Sequence, residues 1–145
     1  MSTDPGTLVG IAVYVTELDR TISFYREVLG LELVERTADY AVLSRGASEL
    51  SLVVVPPEVA SSILVTKPPQ VREETPIKPC FLVDSVERAA AAAFVAGGGA
   101  KPVESAWDFR GLRHLDGFDP EGNVVQFVER LRSGSHDDSA PRVTA

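Results

Sequence analysis

The 145-residue chain has one cysteine, Cys80, and two histidines, His114 and His136. A single thiol excludes an internal disulfide framework and a zinc site built on cysteines, and it points to the cytoplasm as the compartment. Lys and Arg number 14 against 21 Asp and Glu, a formal net charge of −7. A nucleic-acid binder needs a basic stripe to displace counterions, so that class is excluded. No apolar run approaches the roughly 20 residues of a membrane span. The N-terminal stretch 1–7 lacks a basic region followed by an apolar core, so no secretion signal is expected.

What is there suits one globular domain. Hydrophobic residues make up 44% of the chain, and a chain of this length buries about 68–70% of its unfolded surface. In the segment 131–145, Arg132 and Arg142 balance Asp137 and Asp138, so the whole −7 sits in residues 1–130. That segment is expected to be a disordered tail. A negative body favours solubility and suits a cationic ligand.

In the segment 8–15, Val9, Ile11, Val13 and Val15 are β-branched and alternate with Leu8, Gly10, Ala12 and Tyr14. That alternation predicts a strand with its odd positions packed. Thr16 reads as a helix N-cap with Asp19 three positions on. Leu18, Ile22, Tyr25 and Leu29 recur at helical spacing, and Gly30 reads as the stop. Extended stretches follow at 31–36, 40–45 and 48–55. Residues 56–76 hold Pro56, Pro57, Pro68, Pro69 and Pro76 and read as a surface connector.

The same order then returns. Residues 77–83 are extended, Ser85 reads as an N-cap, 86–96 as an alanine-rich helix and Gly97, Gly98 and Gly99 as its end. These glycines follow a helix rather than precede one, which excludes a phosphate cradle. Alternating stretches recur at 100–104, 111–118 and 123–129. Arg20 and Arg88 lie 68 residues apart, and at that offset Val15 meets Val83, Leu18 meets Val86, Asp19 meets Glu87 and Gly30 meets Gly98. The chain therefore reads as a two-copy repeat of a βαβββ unit. The expected fold class is α+β, with two paired modules forming a cleft between mixed sheets and one helix outside each. The domain spans 8–130: module one 8–56, linker 57–76, module two 77–130.

Two segments carry a family resemblance. VTELDRTISFYREVLGLEL, 15–33, resembles the first helix of the vicinal oxygen chelate superfamily, with Phe24-Tyr25 and Leu29-Gly30-Leu31 in place. FDPEGNVVQFVE, 118–129, resembles its last turn and strand. The superfamily includes glyoxalase I, extradiol dioxygenases, fosfomycin-resistance transferases and bleomycin-resistance proteins. With the repeat, the resemblance covers about residues 8–130, and it specifies fold better than activity.

Metal-dependent members hold one divalent ion with four side chains from the two modules. By resemblance these positions fall on Gly10, Glu49, Lys78 and Gln126. Glycine has no side chain, a charged ammonium donates rather than coordinates, and an amide oxygen stands where relatives usually carry Glu. No catalytic metal and no cofactor are therefore expected. Two readings of Lys78 stay open: its ammonium pairs with Glu49 and fills the ion's volume, or it points past the sheet edge into solvent. The candidate ligand cleft comprises Gly10, Tyr14, Glu49, Ser51, Lys78, Cys80, Trp107, Arg113, His114 and Gln126. Trp107 falls in a polar loop, 105–110. Of Arg113 and His114, alternation sends only one into the cleft. Cys80 reads first as a small apolar filler, with a thiol depressed by Lys78, two residues away, as the alternative. Asp119-Pro120-Glu121-Gly122-Asn123 reads as a fold-forming turn.

The second half is most similar to bleomycin-type resistance proteins, which sequester a drug at a dimer interface. The sequence thus points to metal-free capture of a small molecule, cationic or aromatic, by a homodimer. The alternative is an enzyme of the same superfamily, of lyase, isomerase or dioxygenase type, metal-free or with an atypical metal site.

Overall fold

The computed structural model describes residues 4–131, so the tail read as disordered lies, from residue 132 on, outside the described residues. The first module runs β1 (Gly10–Val15), α1 (Leu18–Leu29), β2 (Glu32–Arg36), β3 (Tyr40–Arg45) and β4 (Ser48–Val54). The connector holds one short helix, α2 (Pro57–Ala60). The second module runs β5 (Cys80–Val83), α3 (Val86–Val95), β6 (Gly99–Ala100), β7 (Trp107–Phe109), β8 (Leu112–Phe118) and β9 (Val124–Arg130). Each module makes its own mixed sheet. The first has order β1-β4-β3-β2, and the second β5-β9-β8-β6 with β7 also on β8. In both, the first strand lies parallel to the last and the remaining pairs are antiparallel. This is the α+β fold class that the repeat implies. Among the described residues no helix is long and apolar enough to cross a membrane.

The repeat offset of 68 carries Leu18, the first residue of α1, onto Val86, the first residue of α3. The two helix starts are satisfied differently. Ser85 Oγ accepts from the backbone N–H of Arg88 at 3.2 Å, as its residue type suggests. At α1 the N-cap residue is Glu17 rather than Thr16, and its side chain accepts from the Arg20 guanidinium at 2.9 Å and not from a backbone N–H of the helix. The carboxylate of Glu121, more than a hundred residues along the chain, does the work instead. It accepts from the N–H of Thr16 at 2.8 Å and of Glu17 at 2.7 Å. These donors lie at the cap and just before it, where a negative charge suits the helix dipole, and at α3 the Glu129 carboxylate adds to the Ser85 cap by accepting from the N–H of Val86 at 2.8 Å. At the far ends, Gly30 takes φ 67°, and in the second module the left-handed residue is Gly97, one position earlier than the offset suggests.

The core is one cluster drawn from both modules. Ile22, Phe24 and Tyr25 of α1 are buried with Leu43, Leu50 and Leu52 of the first sheet and with Leu115, Val125 and Phe127 of the second. Helices α1 and α3 pack on each other, and buried Ala89, Ala90 and Ala93 give α1 a flat surface to approach. One helix covers each sheet as expected, α1 on β2, β3 and β4 and α3 on β6, β8 and β9, and in addition the two helices touch and share the core. The reason lies in the apolar stripes. Each helix is buried toward its sheet and also toward its repeat partner, and the alternation that marks strands carries no information about that second contact.

The connector is tied to the second module. The N–H of Arg72 donates to the carbonyl of Gly122 at 2.9 Å. A Cβ on Gly122 would overlap the Gln70 carbonyl oxygen, so only glycine lets the two segments cross there. The Asp119 carboxylate organises the same turn, accepting from the N–H groups of Glu121 at 2.9 Å and Asn123 at 3.0 Å and from the Tyr25 hydroxyl at 2.8 Å. Burial pushes the Asp119 carboxyl above its ordinary value, against the bonds from Asn123 and Tyr25. Burial and then the Asp119 charge hold the Tyr25 phenol well above its own.

Candidate ligand-binding site

With the helices gathered on one side, each sheet keeps a face free of them. Strand alternation decides which residues occupy it. Gly10, Ala12 and Tyr14 lie opposite Glu49, Ser51 and Val53 on that face of the first sheet. Tyr14 is 61% exposed there. In the second sheet Cys80 pairs with Gln126, Gln126 with Asp116, and His114 with Trp107. The free edges of β1 and β5 flank a groove of about 560 Å³ whose lining includes Gly10, Glu49 and Cys80.

On the second sheet a connected polar row takes shape. Lys78 Nζ donates to Asp116 Oδ2 at 2.8 Å, and Gln126 Nε2 donates to Asp116 Oδ1 at 3.1 Å. With its nitrogen committed to a carboxylate, the Gln126 amide turns its oxygen to His114 Nδ1, 2.6 Å away. Nδ1 is therefore the donor and carries the proton. Nε2 lies 3.2 Å from the Phe109 carbonyl oxygen. The indole of Trp107 stacks on the imidazole with ring centroids 5.5 Å apart and planes 17° from parallel. Cys80 Sγ sits 3.5 Å from Gln126 Oε1. The bonds from Lys78 and Gln126 to Asp116, and from His114 Nδ1 to Gln126, fix the orientation of the ring and the amide.

Several expectations are corrected by this geometry. Lys78 pairs with Asp116 and not with Glu49, because Asp116 shares its sheet and face while Glu49 belongs to the other module. Asp116 went unread, although its position two residues from His114 was a usable signal. Trp107 lies in a strand, β7, rather than in a loop. His114 takes the open face, and Arg113 turns to the helix side, where Nη1 sits 3.5 Å from Glu87 Oε1 on α3. The Cys80 thiol is pushed up rather than down. Burial dominates, the Asp116 charge adds to it, and Lys78 opposes both.

The register also moves one family position. At the repeat offset Ala12 corresponds to Cys80; Ala12 pairs with Ser51, and Cys80 with Gln126. The first-module counterpart of Gln126 is therefore Ser51 rather than Glu49. The four positions become Gly10, Ser51, Lys78 and Gln126. A Cβ on Gly10 would overlap the Glu49 carbonyl oxygen, so this position has neither a ligand nor room for one. Ser51 offers a neutral hydroxyl, Lys78 an ammonium, and Gln126 an oxygen already accepting from His114. Among the described residues no three of His, Cys, Asp and Glu group closely enough to hold a metal ion. This donor set does not fit a divalent cation.

Residues 7–127 match the family model described as Glyoxalase/Bleomycin resistance protein/Dioxygenase superfamily. No curated protein matches the chain significantly. Solved structures do. A glyoxalase/bleomycin resistance protein/dioxygenase family enzyme from Burkholderia phytofirmans is 17% identical with a TM-score of 0.64, over 85% of this chain and 98% of that one. A glyoxalase/bleomycin resistance protein from Albidiferax ferrireducens is 20% identical with a TM-score of 0.60, over 86% and 98%. A mutant of the fosfomycin resistance protein FosX from Listeria monocytogenes, complexed with Mn(II) and 1S,2S-dihydroxypropylphosphonic acid, is 14% identical with a TM-score of 0.63, over 87% and 91%. At these identities the likeness shows the fold.

Proposed function

Because the chain belongs to the glyoxalase/bleomycin resistance protein/dioxygenase superfamily, we propose that it uses the family's fold to capture a small molecule in the cytoplasm without a catalytic metal. The observation that carries this reading is the donor set at the four family positions. One is a glycine pressed against a carbonyl, one a hydroxyl, one an ammonium tied to Asp116, and one an amide whose oxygen faces His114. Lewis-acid chemistry needs oxygen, nitrogen or sulfur ligands with free lone pairs, and these residues do not supply them.

The open faces support binding instead. Tyr14 and Trp107 offer aromatic surface, and Glu49 adds negative charge at the groove between β1 and β5. A ligand with cationic or aromatic character suits that lining. A homodimer, its open faces turned to a second copy, belongs to the same proposal.

Elemental analysis of chain purified without chelator tests it. Substoichiometric nickel, zinc, iron and manganese are expected, together with saturable stabilisation by at least one member of a small-molecule library. Stoichiometric metal would refute it. The second reading, a metal-free enzyme, draws on one observation: the His114 ring is held in a fixed pose by the Gln126 amide and by stacking on Trp107, as an acid–base group requires. Turnover that vanishes in His114→Gln while ligand binding persists would favour it.

A further inference from the structure

The connector makes a second, smaller space on the open side of the second sheet. Val71 and Glu73 lie across the end of that sheet, held in place by the Arg72–Gly122 backbone bond. Beneath them Val124 and Phe118 form an apolar floor, and Lys78 and Asp116 close one side. The cavity measures about 260 Å³. That is smaller than a drug-sized pocket and suits a ligand of a few heavy atoms.

Its charges are unevenly spent. Asp116 is buried and already accepts from Lys78 and Gln126. Lys78 is bonded to Asp116 through one of its three N–H groups, and its side chain is 29% exposed. Among the described residues it has no other acceptor, so two donors remain for a ligand oxygen. Lys101 adds a second positive charge to the lining. Glu73, on the connector, is exposed and has no hydrogen-bonded or ion-paired partner among the described residues. A free carboxylate and spare ammonium donors that line one small, partly apolar cavity complement a molecule that carries both charges and a short apolar side.

We infer that this cavity is a site for a small zwitterion of the α-amino-acid class. The ligand carboxylate takes the free N–H groups of Lys78, the ligand ammonium meets Glu73, and the aliphatic portion rests on Val124 and Phe118. This rests on the reading of the chain as a small-molecule binder and adds a second site, apart from the groove between β1 and β5, with its own ligand class.

Isothermal titration calorimetry on the full chain tests it, with L-valine as probe and with isovalerate and isobutylamine as analogues that keep only one charge. Saturable binding of L-valine is expected, with each analogue at least ten-fold weaker. Glu73→Gln, an exposed substitution that leaves the fold intact, is expected to weaken L-valine at least ten-fold, and Lys78→Met likewise. Circular dichroism establishes that each variant is folded. The inference is overturned if L-valine does not bind, if either analogue binds equally well, or if Glu73→Gln binds like the parent. Failure of L-valine to bind while another small molecule still stabilises the chain overturns the inference and leaves small-molecule capture standing. Stoichiometric metal would instead refute the reading of the preceding subsection.

Discussion

Glu121 offers the sharpest test of how the two modules hold together. Replacing it with Ala removes the carboxylate that accepts from Thr16 and Glu17. Hydrogen bonds to a charged group contribute about 1.5–3 kcal/mol each, and loss of an ordinary N-cap costs about 0.5–2 kcal/mol. Thr16 is half-buried and Glu17 exposed, so water recovers part of the lost bonding. Burying the Glu121 carboxylate, 2% exposed, also carried a desolvation cost that its removal returns. The net loss is therefore placed at about 2–3 kcal/mol. For a domain of this size each kcal/mol lowers Tm by about 4 °C, so a fall of roughly 8–12 °C is expected by calorimetry. Glu121→Gln keeps one acceptor oxygen and gives up the charge, and about half the loss is expected. Urea titrations of both variants give the same free energies independently, provided the slope m is unchanged. A loss below about 0.5 kcal/mol in Glu121→Ala would refute the claim that the second module caps the first module's helix.

Four further outcomes follow from the same geometry. Lys78→Met leaves the Asp116 carboxylate buried without its cation and should cost about 2–4 kcal/mol, whereas adding Asp116→Asn should recover most of that loss; denaturant midpoints for the cycle decide it. Gly10→His should destabilise the chain and confer no metal affinity, read by thermal melting with and without nickel, since the new side chain would meet the Glu49 carbonyl. Tyr25→Phe removes the hydroxyl that donates to Asp119 and should cost about 1–3 kcal/mol by urea titration, because an acceptor is left buried. The raised pKa of Cys80 means less thiolate than a free cysteine at any neutral pH. Alkylation by iodoacetamide should therefore run slower than for a model thiol at pH 8 and catch up only at higher pH; an equal rate at pH 8 would contradict the placement beside Asp116.

The strands and helices were legible because their signals are local. Alternation in 10–15 placed Ile11, Val13 and Val15 toward the core, and one offset located both helix starts. The Ser85 cap could be read for the same reason, since its bond spans three residues. What could not be read was settled by contacts between distant segments. Thr16 has the right side chain for a cap, yet a carboxylate from residue 121 reaches the helix first. Glu49 is the more conspicuous ligand, yet parallel pairing of β1 with β4 sets Ser51 in the matching place. Arg113 and His114 were ambiguous until the register of β8 with β9 put His114 beside Gln126. Asp116 shares that face with His114 by simple alternation, although none of the family positions falls on it. The helix-to-helix contact had no sequence signature beyond the alanines of α3.

The spacing of β1 and β4 at Gly10 bears on the lineage as much as on the site. A metal ligand lost by substitution at a roomy position can return by one mutation. Here the neighbouring carbonyl has closed into the volume that a side chain would occupy. A histidine placed there by a single substitution would destabilise the sheet before it could bind anything, and the strand would have to move first. The polar row of the second sheet is therefore easier to elaborate, one side chain at a time, than this position is to turn into an ion site.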